Sequence, residues 1–323
     1  MKSFSIFNNN LSLTILEYGA TIQSLKFNGK EMVLGFDNFE NYLTDTNYFG
    51  AVVGRYANRI SNGEIAVNGV KYSLTKNEPN KTLHGGEKGL SRVYWQGKIE
   101  DNKIVMEYLS TDGEEGFPGD LNIKVVYSLE DSSLVINYYA ISNKDTVVNL
   151  TNHAFFNLTG GKESILNHEL YINASAFTPV NECALSTGEI REVKNTIFDF
   201  TTKKVIGDYI NNEDEQIKLA GGFDHNFCIN GTGFRKFAEL DCKENNTRLE
   251  CFSTMPGMQF YSGNFLSKIK LKENLTIDYR YGLCLETQYY PDSVNKENFE
   301  TGFIKAGEEY KHKTEFRFSK IEK

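Results

Sequence analysis

Three of the five histidines in the 323-residue chain sit where a side chain could do chemistry. His84 lies in Thr82-Leu83-His84-Gly85-Gly86, and two glycines after a histidine mark a tight loop where backbone approaches a ligand. Taken alone, a surface histidine capping a turn is the plainer reading. His153 lies in Leu150-Thr151-Asn152-His153-Ala154-Phe155-Phe156, a strand-like apolar run with polar insertions. Burying Asn152 and His153 requires partners, so a satisfied core histidine and a functional one weigh equally. Asp224 and His225 lie in Gly221-Gly222-Phe223-Asp224-His225-Asn226-Phe227. On a strand neighbours face opposite ways, so only one of the two can face a given pocket; the plainer alternative for either is a turn cap. Glu286 lies in Leu283-Cys284-Leu285-Glu286-Thr287-Gln288, with no flanking Lys or Arg. A carboxylate in an apolar strand is a candidate for a displaced pKa, and function is favoured over a cross-strand ion pair. Asn58 and Arg59 follow Val53-Gly54-Arg55-Tyr56-Ala57, and a guanidinium fork suits hydroxyl and carboxylate oxygens. Arg55 reads as structural. His168 and His312, in charged and exposed-looking settings, receive no role.

The elements that must hold these residues read as strands. Aromatics make 13% of the chain, with 23 Phe and 18 Tyr, and strands favour them. Leu11, Leu13 and Ile15 alternate with polar residues. Ile65 and Val67 enter Asn68-Gly69, and Val70, Tyr72 and Leu74 leave it, which is a strong hairpin signal because both turn residues favour positive φ. Asn28-Gly29 follows Leu25 and Phe27 in the same way, and Val126–Leu129 with Leu134–Ile141 reads as a further hairpin. Only residues 202–219 suggest one or two helical turns. The expected fold is all-β, a large β-sandwich with few short helices, over one domain spanning 1–323. Phe316 and Phe318 mark a last strand.

Lys+Arg 35 against Asp+Glu 43 leaves a net charge of −8, which argues against a general nucleic-acid binder. No 18-residue apolar run exists, so no membrane span is expected, and the N-terminus carries no signal-peptide pattern. Five scattered cysteines without a CxxC pair suit reduced thiols in a cytoplasmic protein. No Rossmann, Walker, HExxH or GxSxG motif occurs. No His or carboxylate pair has metal-ligand spacing, so no metal is expected.

Eight segments together resemble the aldose 1-epimerase family. They are Tyr18-Gly19-Ala20-Thr21-Ile22; Gly54 to Ile60; Asn77 to Gly86; Gly113-Glu114-Glu115-Gly116-Phe117-Pro118-Gly119-Asp120-Leu121; Asn152-His153 with Phe156-Asn157-Leu158; Phe223 to Phe227; Pro256 to Asn264; and Leu285 to Gln288 with Pro291-Asp292-Ser293. They run in the family's order over nearly the whole chain. The resemblance implies a β-supersandwich whose concave face holds a sugar. It implies Glu286 as catalytic base and His153 as catalytic acid, with His84 close to the chemistry, and Asn58, Arg59, Asp224 and Gln259 as sugar ligands. Ile197, Tyr289 and Val294 depart from the family's usual residues, and none of them is a proposed acid, base or sugar ligand.

Such an enzyme interconverts the α and β anomers of free hexoses such as galactose and glucose. Glu286 takes the proton of the anomeric hydroxyl while His153 protonates the ring oxygen; after rotation about C1–C2 the ring closes by the reverse steps. No electron, phosphate or hydride moves, so no cofactor is expected, and the partner is a small-molecule sugar alone, bound by a monomer or homodimer. A reference histidine near 6.5 is mostly neutral at pH 7, so a neighbouring carboxylate is expected to raise it. Tyr56, Phe155, Phe223 and Tyr261 are candidate walls for the sugar's apolar face. Three rival readings are a non-catalytic sugar-binding sandwich, a glycoside hydrolase built on Asp224 and Glu286, and a hexose-6-phosphate 1-epimerase. The last should carry extra cations near the pocket, and no such cluster is visible in the sequence.

Overall fold

The computed structural model describes residues 1–322. Two large antiparallel sheets form the architecture. The nine-stranded sheet runs Gln96–Glu100, Lys103–Ser110, Leu121–Glu130, Ser133–Ser142, Glu309–Lys320, Thr247–Ser253, Arg235–Cys242, Glu169–Ile172 and Lys204–Val205. The five-stranded sheet runs Arg191–Glu192, Ala174–Thr178, Asp224–Ile229, Gly257–Tyr261 and Cys284–Gln288. Shorter ribbons complete the fold, among them a four-stranded meander from Ser3–Phe7 to Lys30–Glu31.

The predicted hairpins form: Glu64–Val67 pairs with Val70–Ser73, Ile22–Phe27 with Lys30–Glu31, and Leu121–Glu130 with Ser133–Ser142. Asn68 and Gly69 adopt positive φ as the turn requires. The last strand, Glu309–Lys320, enters the middle of the large sheet rather than its edge. Among the described residues helix is confined to Phe39–Thr44 and Glu215–Ala220 plus 3-10 turns. Within 202–219 the apolar residues Val205 and Ile206 serve a strand and a 3-10 turn, and the α-helix begins later, where the Asp214 side chain accepts from the Gln216 amide.

One parity governs the site. In the three strands Asp224–Ile229, Gly257–Tyr261 and Cys284–Gln288, the register sets Asn226 opposite Gln259 and Gln259 opposite Glu286. Side chains alternate along a strand and directly opposed residues share a face. Asp224, Asn226, Gln259, Tyr261, Cys284, Glu286 and Gln288 therefore stand on one face. His225, Phe227, Met258, Phe260, Leu285 and Thr287 stand on the other. That second face is the core: Phe227, Met258, Phe260 and Leu285 join a cluster with Phe316, Phe318 and Leu249 of the nine-stranded sheet, and Thr287 Oγ1 lies 2.7 Å from Thr314 Oγ1. The sandwich thus holds the polar face of the smaller sheet rigid from behind.

Two sequence expectations are corrected here. His168 is 1% exposed, because its Nε2 accepts the Leu158 amide proton under the turn Ile165–Asn167. His312 lies in the central last strand and is packed against Tyr289 and Tyr310. Neighbouring charges in sequence misrepresent both, since the strand and turn carry those charges to the opposite side. Arg55 is structural as expected: it is 2% exposed and donates to Ser110 and to the carbonyls of Ser110, Thr111 and Pro118. All five cysteines are free.

Candidate active site

A cavity of about 190 Å³ opens on the polar face of the smaller sheet. It lies below the roughly 300 Å³ at which drug-sized pockets begin, a scale suited to one small ring. Sheet residues Asp224, Tyr261 and Glu286 form its floor, and Asn58, Arg59, Glu78, His84, His153 and the segment Thr46–Tyr48 surround it. A larger groove of about 570 Å³ lies on the nine-stranded sheet, lined by Glu107, Tyr108, Lys124, Tyr139 and Glu309, and contains none of the histidines.

His153 reaches the site from the short strand Thr151–Asn152, which pairs with Val52–Val53. Its amide donates to the Ala51 carbonyl and its carbonyl accepts from Gly50, so the backbone is held on both sides. Its Nε2 lies 3.7 Å from Glu286 Oε1. On the other side Nδ1 lies 3.6 Å from Cys284 Sγ, two residues before Glu286 on the same face.

His84 is held by its loop. Its amide donates to the Asn58 carbonyl, and its Nδ1 accepts the Asn58 amide proton at 3.1 Å. A neutral ring that accepts at Nδ1 carries its proton on Nε2 and presents a donor there. Gly85 has φ +88°, and a Cβ there would lie 1.8 Å from the Gly54 carbonyl oxygen. The glycine signal in the sequence is thus a requirement of backbone approach. The His84 and His153 rings stand 5.3 Å apart and nearly perpendicular.

Arg59 spans the cavity mouth. Its Nε donates to Glu78 Oε2 at 3.0 Å, and Nη1 lies 3.9 Å from Asp224 Oδ2. Gln259 Nε2 donates to Asp224 Oδ1 at 2.7 Å. Asp224 is thereby fixed from two sides, while His225 is turned into the core against Phe177 and Phe198. Only one of that sequence pair faces the pocket, as alternation demands.

Burial dominates the electrostatics. It pushes the Glu286 carboxyl well above the ordinary range, helped by Asp224 and opposed by Arg59. It lowers His153 to about 4. His84 is pushed down by burial, His153 and Arg59. The expectation that a neighbouring carboxylate raises His153 is corrected: burial, which penalises the charged imidazolium, is the largest influence on the ring and outweighs its backbone hydrogen bond.

The structure brings Glu286, His153, His84, Asn58, Arg59 and Asp224 to one cavity, with Gln259 beneath it. Of the candidate aromatic walls, Phe155 and Tyr261 line the cavity, whereas Tyr56 and Phe223 are fully buried in the core. Tyr48, Glu78 and Phe265 were not singled out by their chemistry. Tyr48 packs edge-on against His84 at 4.8 Å and adopts φ 60°. Nothing in its sequence setting marks it; Glu78 does lie within one of the eight segments. Donor atoms of His84, His153 and Glu286 lie within 4.8 Å of one another, a convergence that sequence spacing did not suggest. The Asn58 amide, however, occupies His84 Nδ1, so a metal at Nε2 would require an imidazolate or loss of that hydrogen bond. The donor set therefore suits a hydroxylated organic ring better than an ion. Among the described lining residues Arg59 is the one cation, and it already faces two carboxylates.

Comparison with known proteins identifies the family of the chain. A model of the family "Aldose 1-epimerase" matches residues 2–317. The chain is 41% identical to galactose mutarotase of Bos taurus, covering 99% of this chain and 94% of that protein. It is 34% identical to aldose 1-epimerase of Escherichia coli K12, covering 96% and 93%. Among solved structures, an aldose epimerase homologue from C. elegans superposes with a TM-score of 0.92 at 28% identity, covering 99% of both chains. A galactose 1-epimerase from Lactobacillus acidophilus superposes with a TM-score of 0.88 at 28% identity, covering 99% of this chain and 95% of the other.

Proposed function

The chain belongs to the aldose 1-epimerase family, and from that premise we propose a mechanism for its activity in which Glu286 is the base and His153 the acid. The enzyme is an isomerase that interconverts the α and β anomers of free hexoses. The observation that carries the assignment is the buried His153–Glu286 pair, 3.7 Å apart at the cavity floor.

Ring opening moves one proton from the anomeric hydroxyl to Glu286 and one from His153 to the ring oxygen. The pair therefore passes from carboxylate and imidazolium to carboxylic acid and neutral imidazole. Burial favours the second state, since it raises Glu286 and lowers His153. The desolvated site thus drives both proton transfers of ring opening and stabilises the pair as it stands beside the open-chain aldehyde. Closure on the other face of the carbonyl reverses them. Sugar hydroxyls donating to the carboxylate, with Arg59 nearby, favour the charged state with which the cycle starts. His84 Nε2–H supplies a fixed neutral donor, and Asp224, Arg59, Asn58 and Gln259 hold the remaining hydroxyls.

In this reading the residues 1–323 act as one domain, in the cytoplasm, as monomer or homodimer, on a free sugar without a cofactor. A phosphorylated hexose is disfavoured, because Arg59 is engaged by Glu78 and Asp224. Polarimetry on fresh α-D-galactose and α-D-glucose tests the assignment. Rapid loss of rotation is expected for the native enzyme, and rates near the uncatalysed one for Glu286→Gln and His153→Asn. A folded, fully active Glu286→Gln variant would remove Glu286 from the mechanism.

A further inference from the structure

Unpartnered buried polar atoms concentrate behind the active site. Among the described residues thirteen such side-chain atoms occur, and six belong to Asn226, Gln259, Glu286 and Gln288. They are both amide atoms of Asn226, both of Gln288, Gln259 Oε1 and Glu286 Oε2. All four residues stand on the site face of three adjacent strands, in directly opposed or next-but-one register. All are nearly inaccessible, at 1%, 3%, 2% and 0% exposure for Asn226, Gln259, Glu286 and Gln288. Buried polar atoms are nearly always satisfied, so a cluster of six on one patch points to a shared partner.

Gly257 explains how the patch is assembled. It sits opposite Gln288, and a Cβ on it would lie 2.5 Å from Asn226 Oδ1. The missing side chain lets the Asn226 amide lean across the middle strand toward the strand of Gln288. Glu286 thus has two unlike oxygens. Oε1 lies beside His153; Oε2 is buried without a partner on the sheet face that also carries the Asn226 and Gln288 amides, which have four N–H bonds in all, two each.

We propose that Asn226 and Gln288 form an amide floor that hydrogen-bonds the hidden Oε2 of Glu286 through an internal water, which Gln259 Oε1 can also accept from, making Gln288 and Asn226 positioning residues for the base. An internal water with two to four polar partners fits such a cluster. The other titratable or charged groups around Glu286 come from every neighbouring element: Asp224 and Tyr261 on the adjoining strands, Cys284 on its own, Arg59 and His153 from the cavity wall, and His84 from its loop. None of these offers Oε2 a hydrogen bond. Through a bridging water the amides can do so without adding charge. They favour the carboxylate and so enlarge the reactive fraction of the pair.

This inference rests on Glu286 being the base, and its test separates the two claims. The carboxyl stretch of protonated Glu286 is isolated by infrared difference against Glu286→Gln and titrated in the native enzyme and in Gln288→Met. Loss of amide donors is expected to raise the midpoint by about one pH unit. The plateau of kcat/KM should then fall about 10-fold. The infrared midpoint reports on the floor whether or not Glu286 is catalytic, whereas turnover by Glu286→Gln reports on the base alone. Asn226→Ser, read in the same way, keeps the test standing should Gln288→Met fail to fold. An unmoved midpoint in a folded variant overturns the proposal.

Discussion

Burial lowers His153 and raises Glu286, so the proposed acid–base pair holds one proton between those two values, and this sets the expected response to pH. As pH falls through about 4, His153 takes a second proton while Glu286 keeps its own, and the pair has no base left. As pH rises above the raised value of Glu286, the last proton leaves and no acid remains. The profile of kcat/KM should therefore be a bell with its acid limb near pH 4, both limbs belonging to the coupled pair. A flat profile from pH 4 to 9 would contradict the pair. Asp224 helps raise Glu286, so Asp224→Asn should move the alkaline limb to lower pH. It should also raise KM, because Arg59 and Gln259 lose the carboxylate they share. A KM rise with an unmoved limb would limit Asp224 to binding.

At the scale of elements, the loop after Lys81–Leu83 and the three site strands impose different constraints. Gly85→Ala meets both a positive φ and the Gly54 carbonyl. It should cost at least about 2 kcal/mol in urea unfolding and lower kcat by displacing His84. Gly69 also has positive φ, but a Cβ there meets nothing within 4 Å. Gly69→Ala should cost only about 1 kcal/mol and leave activity unchanged. Equal losses in the two variants would mean that the close approach at Gly85 carries no weight. The strands work by parity instead: alternate residues of Cys284–Gln288 enter the core through Leu285 and Thr287 and the site through Glu286.

For the whole molecule, the remaining histidines, buried at His168 and His225 and half-buried at His312, link folding to pH. Burial lowers His168 and His312 to about 4 and His225 to about 3, against 6.5 unfolded. A depressed folded value means that the unfolded state binds protons first. The stabilisation is complete above about 6.5 and is lost as pH falls toward 4 and below. His168 and His225, the fully buried ones, each contribute on the order of 3 kcal/mol over that interval. Calorimetry should show Tm falling steeply from pH 6.5 to 4, and less steeply in His168→Gln. An equal slope in that variant would remove His168 from the acid response.

Much of this was legible in the chain alone, because strand alternation, Asn-Gly turns and the His84-Gly85-Gly86 loop are local constraints on backbone and burial. Those constraints pointed to an all-β sandwich and, only as an either-or, to one of Asp224 and His225 in a pocket; it was the family resemblance of eight ordered segments that implied the residues which the cavity brings together. Tertiary structure decided what depends on groups distant in sequence. It turned His168 and His312 inward, placed Tyr48 over His84, and set His153 against Glu286 from separate sheets. It also reversed the expected shift of His153, since desolvation depends on everything packed around a side chain and no one segment of sequence contains that information.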